Sequence, residues 1–468
     1  MKLFIKSPVY TEAKELIYLA LPLASAQVAQ TATGFVDIVM MGWLSQETLA
    51  AGGLAATTFG SLLITISGIM LGVSPLVATA YGGGNRDRIK QLTQQGMWLC
   101  LIISLPMMFL LQHFDLLMIH LGQSSAVVAV AKTYLRVILW GSFPALLFAL
   151  LKSVLSSVSQ PRSIMVIVIG GTIFNAIGNY ILGFGKFGFP NLGLAGIAAA
   201  SALAHWMMVI CLLIYITQNS QLKIYQFFRN LHHFTPKIIG ELLWIGVPIS
   251  ASLALEIGLF TIITYMMGAL GTEVLAAHQI VFQTIAIIFM VPLGMSFATT
   301  IRVGQLDGLA DMLGIKRSAC ISMTLGGGFM VIMAIVLLLF PTSIISLYLD
   351  IQNPVNAPVI ALVLPMLAIA ALSQILDGVQ TAAAGALRGL QDTHIPVLLS
   401  LGSFWGVGIT SGYILGFSLG WGGVGLWIGQ LLGVAIAALF FILRLQSKLS
   451  SISILKKAEG EVAIRGKQ

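Results

Sequence analysis

Twelve long apolar runs follow one another along the chain and leave almost no room for a water-soluble domain. A helix that crosses a membrane needs about 20 mostly apolar residues, and each run can supply them. Because a lipid-embedded backbone must satisfy its own hydrogen bonds, the pattern predicts an all-α polytopic membrane protein with twelve transmembrane helices. The runs lie near 16–44, 53–80, 93–113, 126–158, 163–184, 193–217, 241–268, 274–301, 317–340, 356–388, 395–417 and 424–445.

The composition excludes other broad classes of protein. Hydrophobic residues make up 58% of the 468 residues and charged residues 9%, whereas soluble domains have roughly 45–50% and about 25%. A soluble enzyme, a nucleic-acid binder and a disordered chain are therefore excluded. The net charge of +8 indicates basic loops that face anionic lipid. The first apolar run is long and lacks a small-residue cleavage site, so we interpret it as a retained helix and not a signal peptide.

The basic residues orient the bundle. Of the 24 Lys and Arg residues, all but Lys132, Arg136, Lys152 and Lys186 fall at the termini or in connections expected on the same side of the membrane. This bias predicts that both termini are cytoplasmic. The long polar break between the sixth and seventh runs predicts an N-lobe over 1–218, a cytoplasmic linker over 219–240, a C-lobe over 241–446 and a cytoplasmic tail over 447–468.

The two halves of the chain repeat each other. With an offset of 226 residues, Pro22 falls on Pro248 and the segment Met40-Met41-Gly42 falls on Met266-Met267-Gly268. The pentapeptide YILGF also occurs twice, at 180–184 and 413–417. Because six spans return the chain to the same side, the halves form a parallel repeat about an axis along the membrane normal. Such pseudo-symmetric six-helix lobes are common among secondary transporters.

Three acidic residues lie within the apolar runs. Of the 16 acidic residues, thirteen fall in tails, loops or helix ends, where solvation or a helix dipole explains them. The remaining three are Asp37 in span one, Glu256 in span seven and Asp377 in span ten. A carboxylate at the centre of a span costs roughly 2.5–3.5 kcal/mol, so we expect each to face a cavity and to have a partner. With no basic residue expected at the same depth, a mobile cation or proton is the expected counter-charge.

Other polar and small residues in the spans give weaker signals. Asn175 and Asn179 share one helix face in span five, where their amides could ligate Na⁺ or join neighbouring helices. Candidates for substrate binding or gating are His278, Gln279, Gln283, Pro22 and Pro248. For His278 a polar helix end and a proton relay both remain open. Tight helix packing is expected at the small-residue steps Gly402/Gly406, Gly408/Gly412 and Gly425/Gly429/Gly433.

The order and spacing of several short motifs resemble the multidrug and toxic compound extrusion (MATE) family, and within it the bacterial NorM-type branch. The resemblance covers nearly all twelve spans. It rests on Phe35-Val-Asp37-Ile-Val-Met-Met-Gly42, Leu76-Val-Ala-Thr-Ala-Tyr-Gly82-Gly, Gly246-Val-Pro248 followed by Glu256, Leu275-Ala-Ala-His278-Gln279-Ile, Pro292-Leu-Gly, Ile301-Arg-Val-Gly304, Asp377-Gly-Val-Gln and Leu387-Arg388-Gly389.

The resemblance implies two cation sites. The acids of spans seven and ten in NorM-type proteins correspond to Glu256 and Asp377, a C-lobe site for Na⁺ or a proton. The N-lobe site of the family corresponds to Asp37, Asn175, Asn179 and Ser201. Two positions depart from relatives: Ser373 stands where Tyr is frequent, and Asn179 stands where some relatives have Asp. These departures leave the ion preference, and the lobe that carries the cation, open.

The resemblance also implies a function. We expect a secondary active multidrug efflux transporter in the bacterial inner membrane, which exports amphipathic and often cationic compounds in antiport with Na⁺ or H⁺. The expected partners are these drugs, the coupling ion and the lipid bilayer, with no nucleic acid, no cofactor and a monomeric state. The alternative is a lipid-linked precursor flippase of the same superfamily, which would need basic residues in its cavity. No sequence motif of an intramembrane enzyme is present, so we expect no enzymatic activity.

Overall fold

The computed structural model of the chain describes residues 8–120, 123–229 and 231–465, and side chains as far as Ser451. Helices make up this part of the chain, without strands. The α-helices are α1 (Pro8–Leu44), α2 (Gln46–Leu71), α3 (Val73–Gly82), α4 (Arg86–Gln112), α5 (Phe114–His120), α6 (Ser125–Ile138), α7 (Ser142–Ser157), α8 (Pro161–Gly178), α9 (Gly193–Gln218), α10 (Ser220–Lys223), α11 (Pro236–Ala269), α12 (Thr272–Gly308), α13 (Met312–Leu339), α14 (Pro341–Ile345), α15 (Ala357–Gly389), α16 (His394–Ser400), α17 (Thr410–Tyr413) and α18 (Gly422–Arg465).

The helices match the predicted spans. Eleven segments of the described chain are long and apolar enough to cross a membrane, and the 37-residue α1 precedes them. Some segments combine consecutive helices, as α2 and α3 do over Gln46–Gly82. The predicted all-α polytopic fold is confirmed. The helices extend beyond the apolar runs, since α12 continues to Gly308 and α18 to Arg465. Several basic residues of the orientation argument lie outside the described side chains: Lys2, Lys6, Lys456, Lys457, Arg465 and Lys467.

The described chain divides into two compact units. The N-unit is Ser25–Leu253, and the C-unit combines the described residues up to Ala24 with those from Ala254 onward. The division passes through α1 shortly after Pro22 and through α11 shortly after Pro248. Each unit therefore contains five complete spans and parts of α1 and α11. The predicted end of the N-lobe at residue 218 and start of the C-lobe at residue 241 therefore remain predictions.

Small residues bring the first part of α11 close to α2 within the N-unit. A Cβ atom added to Gly72 would lie 2.6 Å from Cα of Gly246, and one added to Gly68 would lie 2.7 Å from Cα of Ser250. The Ser250 hydroxyl donates a 2.5 Å hydrogen bond to the carbonyl of Thr65. Only residues without large side chains allow two helix backbones to approach this closely. This packing holds the amino-terminal half of α11 in the N-unit.

Glycines in α18 provide the same kind of contact in the C-unit. A Cβ atom at Gly429 would collide with the backbone of Gly412, and one at Gly433 would lie 2.9 Å from Cα of Gly408. The predicted packing role is confirmed for these glycines. It is wrong for Gly402 and Gly406, because a Cβ atom there would meet nothing within 4 Å. Their spacing fits the motif, but they lie on the side of the segment that faces away from α18.

Two π-helical segments occur at equivalent places in the two halves. One covers Asn179–Gly183 and continues α8, and the other covers Ile414–Ser418 and continues α17. Both fall within or beside the repeated YILGF pentapeptide, so the sequence repeat is matched by a repeated local conformation. A longer π segment, Leu401–Ile409, precedes α17. π-Helical turns widen a helix locally and often occur at functional sites.

Ion pairs join several acids that the sequence analysis had assigned to solvation or helix dipoles. That interpretation is incomplete for these acids, because basic side chains from other helices reach them. Glu12 is the most enclosed of them, since only 6% of its side chain is exposed and both its oxygens accept 2.7 Å hydrogen bonds from the guanidinium of Arg302. The ion pairs among the described side chains are Arg302–Glu12, Arg88–Glu241, Lys132–Asp115 and Arg444–Asp392.

Candidate functional site

Four buried polar side chains of the N-unit form a closed ring of hydrogen bonds around Asp37. Asn179 donates from Nδ2 to Oδ1 of Asp37 at 2.5 Å and to Oδ1 of Asn175 at 3.3 Å. Asn175 donates from Nδ2 to the Ser201 hydroxyl at 2.9 Å. The Ser201 hydroxyl donates to Oδ2 of Asp37 at 3.0 Å, which closes the ring. The structure thus brings together all four residues that the family resemblance implies for the N-lobe site.

Three helices position the ring. Asp37 lies in the second half of α1, Ser201 lies in α9, and Asn175 lies near the end of α8. Asn179 is the first residue of the π-helical segment that follows α8, one turn beyond Asn175. The contact between α1 and α8 is also fixed one turn before Asp37, where the hydroxyls of Thr33 and Thr172 are 2.9 Å apart.

The ring is an oxygen-rich and largely buried environment. Asn175 and Asn179 are fully buried, and Asp37 is 7% exposed. Each oxygen of Asp37 accepts one hydrogen bond, an arrangement that stabilises the ionised carboxylate. Oδ1 of Asn179 has no hydrogen-bond partner in the described part of the chain, although it is buried. A buried acceptor without a donor is costly unless something else binds it. The residues therefore suit a small cation, which would replace the missing donor.

The two acids of the C-unit have different surroundings. Glu256 of α11 and Asp377 of α15 interact electrostatically with each other. Neither carboxylate accepts a hydrogen bond from a described residue, in contrast to Asp37. One turn before Asp377, the buried Ser373 hydroxyl and Oε1 of Gln374 also lack partners in the described chain. The C-unit thus holds a second group of acids and unpaired polar atoms, but not a closed ring.

Arg388 is a basic residue of span ten that interacts electrostatically with Glu256, although no ion pair joins the two among the described side chains. The sequence analysis placed Arg388 at the cytoplasmic end of span ten. Its side chain donates a 2.6 Å hydrogen bond from Nη2 to the hydroxyl of Ser296, well inside α12, and it interacts electrostatically with Glu256. Its backbone is at the end of α15, but a long side chain can extend toward the membrane centre. The expectation that the buried acids have no basic partner at the same depth therefore stays a prediction.

The five candidate substrate or gating residues do not form one group. His278 is fully buried and stacks on Phe282. Its Nε2 atom forms a 3.0 Å hydrogen bond with the hydroxyl of Thr264. Gln279 and Gln283 are exposed and lie one turn apart on one face of α12. Pro22 and Pro248 are buried inside α1 and α11. Their roles in transport stay predictions.

Sequence reasoning missed a polar cluster around Lys152. The ammonium of Lys152, in α7, donates to Oε1 of Gln27 at 2.9 Å and lies 3.5 Å from Oε1 of Gln30, both in α1. The cluster belongs to the N-unit, and its three side chains are half-buried. The repeat contained a usable signal, because Gln30 falls on Glu256 at the same offset of 226 residues.

Comparison with known proteins identifies the family. The MatE family model matches residues 22–181 and 248–414. A "Probable multidrug resistance protein NorM" from Synechocystis sp. is 48% identical over 435 residues, which covers 93% of this chain and 94% of the relative. A protein of the same name from Pseudomonas aeruginosa is 34% identical over 459 residues, which covers 98% of this chain and 94% of the relative.

Solved structures share the fold at low sequence identity. The crystal structure of the eukaryotic MATE transporter AtDTX14 has a TM-score of 0.83 at 19% identity, covering 95% of this chain and 98% of its own. A single-site mutant of the Vibrio cholerae MATE transporter VcmN has a TM-score of 0.84 at 19% identity, with the same coverage of 95% and 98%. The similarity in sequence over more than nine tenths of the chain means that this protein belongs to the multidrug and toxic compound extrusion (MATE) family, in its NorM-type branch.

Proposed function

We propose that this protein is a secondary active multidrug efflux transporter, which exports amphipathic and often cationic compounds in antiport with Na⁺ or H⁺. Its relatives in Synechocystis and Pseudomonas carry the name multidrug resistance protein. A neighbour of the same fold is described as an outward-facing multidrug resistance MATE family transporter. The protein would work in the bacterial inner membrane with both termini in the cytoplasm, and as a monomer.

The ring around Asp37 is the observation that carries the coupling mechanism. A Na⁺ ion entering the ring would find the carboxylate of Asp37 and the unpaired Oδ1 of Asn179, both oxygen atoms of the kind that hard cations prefer. A proton would instead neutralise Asp37 and weaken its two hydrogen bonds to Asn179 and Ser201. Either event changes the contacts among α1, α8 and α9. Cation binding at this site therefore acts on the helices that carry it.

Exchange requires that drug and cation favour different states of the transporter. A ligand shifts a conformational equilibrium only through a difference in its affinity for the two states. A cation at Asp37 changes the contacts among α1, α8 and α9, so its affinity differs between states in which these helices are arranged differently. A cationic drug would be released when the carboxylate that attracts it is neutralised. The mechanism needs no enzymatic step and no cofactor other than the coupling ion.

Glu256 and Asp377 form the competing candidate for the coupling site. Their mutual repulsion favours binding of a proton or cation between them, and the unpaired Ser373 and Gln374 could provide further ligands. The electrostatic interaction of Glu256 with Arg388 offsets part of the negative charge of this group. We therefore assign the main coupling role to Asp37 and propose that the C-unit acids modulate it.

The lipid-linked precursor flippase is the alternative function. A diphosphate headgroup would require several basic side chains close together within the membrane. The described spans place Arg388 and Lys152 in different units. The ionisable groups of the two candidate coupling sites are the carboxylates of Asp37, Glu256 and Asp377. This distribution favours cationic compounds over a diphosphate lipid.

Transport in proteoliposomes tests the proposal. Purified protein is reconstituted, and the movement of ethidium is followed under a Na⁺ gradient alone and then under a pH gradient alone. We expect one gradient to drive export at least tenfold faster than no gradient. Movement of a polyisoprenyl diphosphate without any cation gradient, and no movement of ethidium under either gradient, would contradict the proposal and support the flippase.

A further inference from the structure

Three buried side chains of the C-unit carry polar atoms without hydrogen-bond partners in the described part of the chain. These atoms are Nδ1 of His278 in α12, and Nε1 of Trp427 and Oε1 of Gln430 in α18. His278 and Trp427 are fully buried, and Gln430 is 2% exposed. An unpaired polar atom is costly inside a protein, so several of them close together indicate that something binds between them.

The three side chains lie close together. The ring centroids of His278 and Trp427 are 5.5 Å apart. Trp427 and Gln430 are three residues apart in α18, so they lie on the same face of this helix. A Cβ atom added to Gly423, one turn before Trp427, would lie 2.8 Å from Cγ1 of Val274, one turn before His278. α12 and α18 therefore face each other with the sides that carry these residues.

A contact between two glycines occurs at equivalent places in the two units. In the N-unit, a Cβ atom added to Gly196 would lie 2.7 Å from the backbone nitrogen of Gly183. In the C-unit, a Cβ atom added to Gly425 would also lie 2.7 Å from the backbone nitrogen of Gly416. Gly183 and Gly416 are the glycines of the two YILGF pentapeptides. The repeated contact therefore aligns the last two spans of each half residue by residue.

This alignment places Gln430 at the position of Ser201, which belongs to the ring around Asp37. Ser201 follows Gly196 by five residues, and Gln430 follows Gly425 by five. The remaining ring residues correspond to apolar positions of the C-unit, in the order Asp37 to Ile263, Asn175 to Gly408 and Asn179 to Gly412. The C-unit thus has neither the acid nor the asparagines at this place, and Gln430 is the polar side chain that stands there.

The chemistry of the three unpaired atoms favours a neutral ligand. The indole N–H of Trp427 can only donate a hydrogen bond, and its partial positive charge disfavours a cation. Oε1 of Gln430 can only accept a hydrogen bond, and Nδ1 of a neutral His278 accepts or donates according to its tautomer. One water molecule can accept a hydrogen bond from Trp427 and donate to the other two atoms. Buried water molecules typically make about three hydrogen bonds of this kind.

We propose that His278, Trp427 and Gln430 form a binding site for an ordered internal water molecule, which bridges α12 and α18. The C-unit counterpart of the ring around Asp37 is then a neutral site that binds water and not the coupling ion. This inference goes beyond the proposed efflux function and does not depend on it, because the site is tested on the purified protein without transport.

X-ray radiolysis in isotopically labelled water, followed by mass spectrometry, tests the site on the full-length wild-type protein. Hydroxyl radicals form at bound water and oxidise the side chains beside it, whereas buried side chains away from water are protected. After correction for intrinsic reactivity, we expect Trp427 and His278 to be oxidised about fivefold faster than Met70, which is fully buried in the apolar core of the N-unit. Equal protection of all three residues would overturn the inference.

The variants Gln430→Leu and Gln446→Leu test which residues bind the water. Gln430→Leu replaces the acceptor with an apolar side chain, so we expect the oxidation rate of Trp427 to fall about fivefold, to that of Met70. Gln446→Leu makes the same change at an exposed position of α18 and should leave the rate of Trp427 unchanged. An unchanged rate in Gln430→Leu would show that the water, if present, is not held by this site, and would contradict the proposal.

Radiolysis with and without Na⁺ distinguishes water from a cation at this site. The comparison uses the variant Asp37→Asn, so that Na⁺ binding at the ring does not contribute. A cation at the C-unit position would displace the water and protect Trp427 from oxidation. We expect the same oxidation rates of Trp427 and His278 in both conditions. Slower oxidation of both residues in Na⁺ would overturn the neutral site and assign this position to the coupling ion.

Discussion

Asn179 donates a hydrogen bond from Nδ2 to Oδ1 of Asp37 over 2.5 Å, and its own Oδ1 is buried without a partner in the described part of the chain. One side chain therefore both fixes the carboxylate and offers an unused oxygen beside it. Asn179 is the first residue of the π-helical segment that continues α8 beyond Gly178. We propose that ion coupling depends on this contact.

Replacing Asn179 tests its double role. Asn179→Ala removes one hydrogen bond to Asp37 and one oxygen that would ligate the cation. We expect the cation concentration needed for half-maximal drug export to rise about tenfold, because the lost interactions amount to about 1.4 kcal/mol. Thr33→Ala is the matched control, since it removes a hydrogen bond between the same two helices outside the ring. An equal shift in both variants would assign Asn179 to helix packing.

A double-mutant cycle tests the interaction between Glu256 and Arg388. Glu256→Gln removes the electrostatic attraction between Glu256 and Arg388, so we expect a lower thermal midpoint in detergent. Arg388→Gln should also be destabilising, because it removes the hydrogen bond to Ser296. The loss of stability in the double variant is expected to be smaller than the sum of the losses in the two single variants. For interacting residues this difference is about 0.5–3 kcal/mol. Strict additivity would show that the two groups do not interact.

Gly429 tests the close packing of α18. A side chain at this position collides with the backbone of Gly412, which cannot move aside as a flexible side chain would. We expect Gly429→Leu to destabilise the protein at the upper end of the roughly 1–3 kcal/mol typical of overpacking. Gly402→Leu is the control, because a Cβ atom there meets nothing within 4 Å. Thermal unfolding in detergent should separate the two variants, and similar midpoints would argue against the contact.

The ion pair between Glu12 and Arg302 should stabilise the C-unit. Glu12→Gln leaves the guanidinium of Arg302, 20% exposed, with a neutral partner. Breaking a buried pair costs roughly 3–5 kcal/mol, and the partial exposure of Arg302 reduces our expectation to about 2 kcal/mol. Glu47→Gln changes an exposed acid in the first turn of α2, where only a weak interaction with the helix dipole is lost, and should lower the thermal midpoint much less. A midpoint for Glu12→Gln equal to that of Glu47→Gln would show that the pair contributes nothing.

The sequence predicted the spans well because the bilayer imposes a minimum apolar length that is directly visible in the residues. It also predicted the members of the Asp37 ring, although through family resemblance and not through spacing. Asp37, Asn175 and Ser201 lie in three different spans, and no local pattern states that their side chains meet. The closed arrangement of donors and acceptors arises only from the packing of these three spans.

Other features could not be read from the sequence because they depend on how far a long side chain extends. Arg388 and Lys152 lie near helix ends in the sequence, but their charged groups contact residues deeper in the spans. Motif spacing was also insufficient for the glycines, since Gly402 and Gly412 both occur in GxxxG steps and only Gly412 packs against α18. The direction in which a helix face points is a property of the assembled unit.

Drug export by Asp37→Asn, side by side with Glu256→Gln, tests the central claim most directly. Both variants are reconstituted at equal density, and ethidium export is measured under whichever gradient drives the wild-type protein. We expect Asp37→Asn to lose at least nine tenths of the gradient-driven rate, whereas Glu256→Gln should keep a measurable dependence on the gradient. Full gradient-driven export by Asp37→Asn, together with its loss in Glu256→Gln, would contradict the account and place coupling in the C-unit.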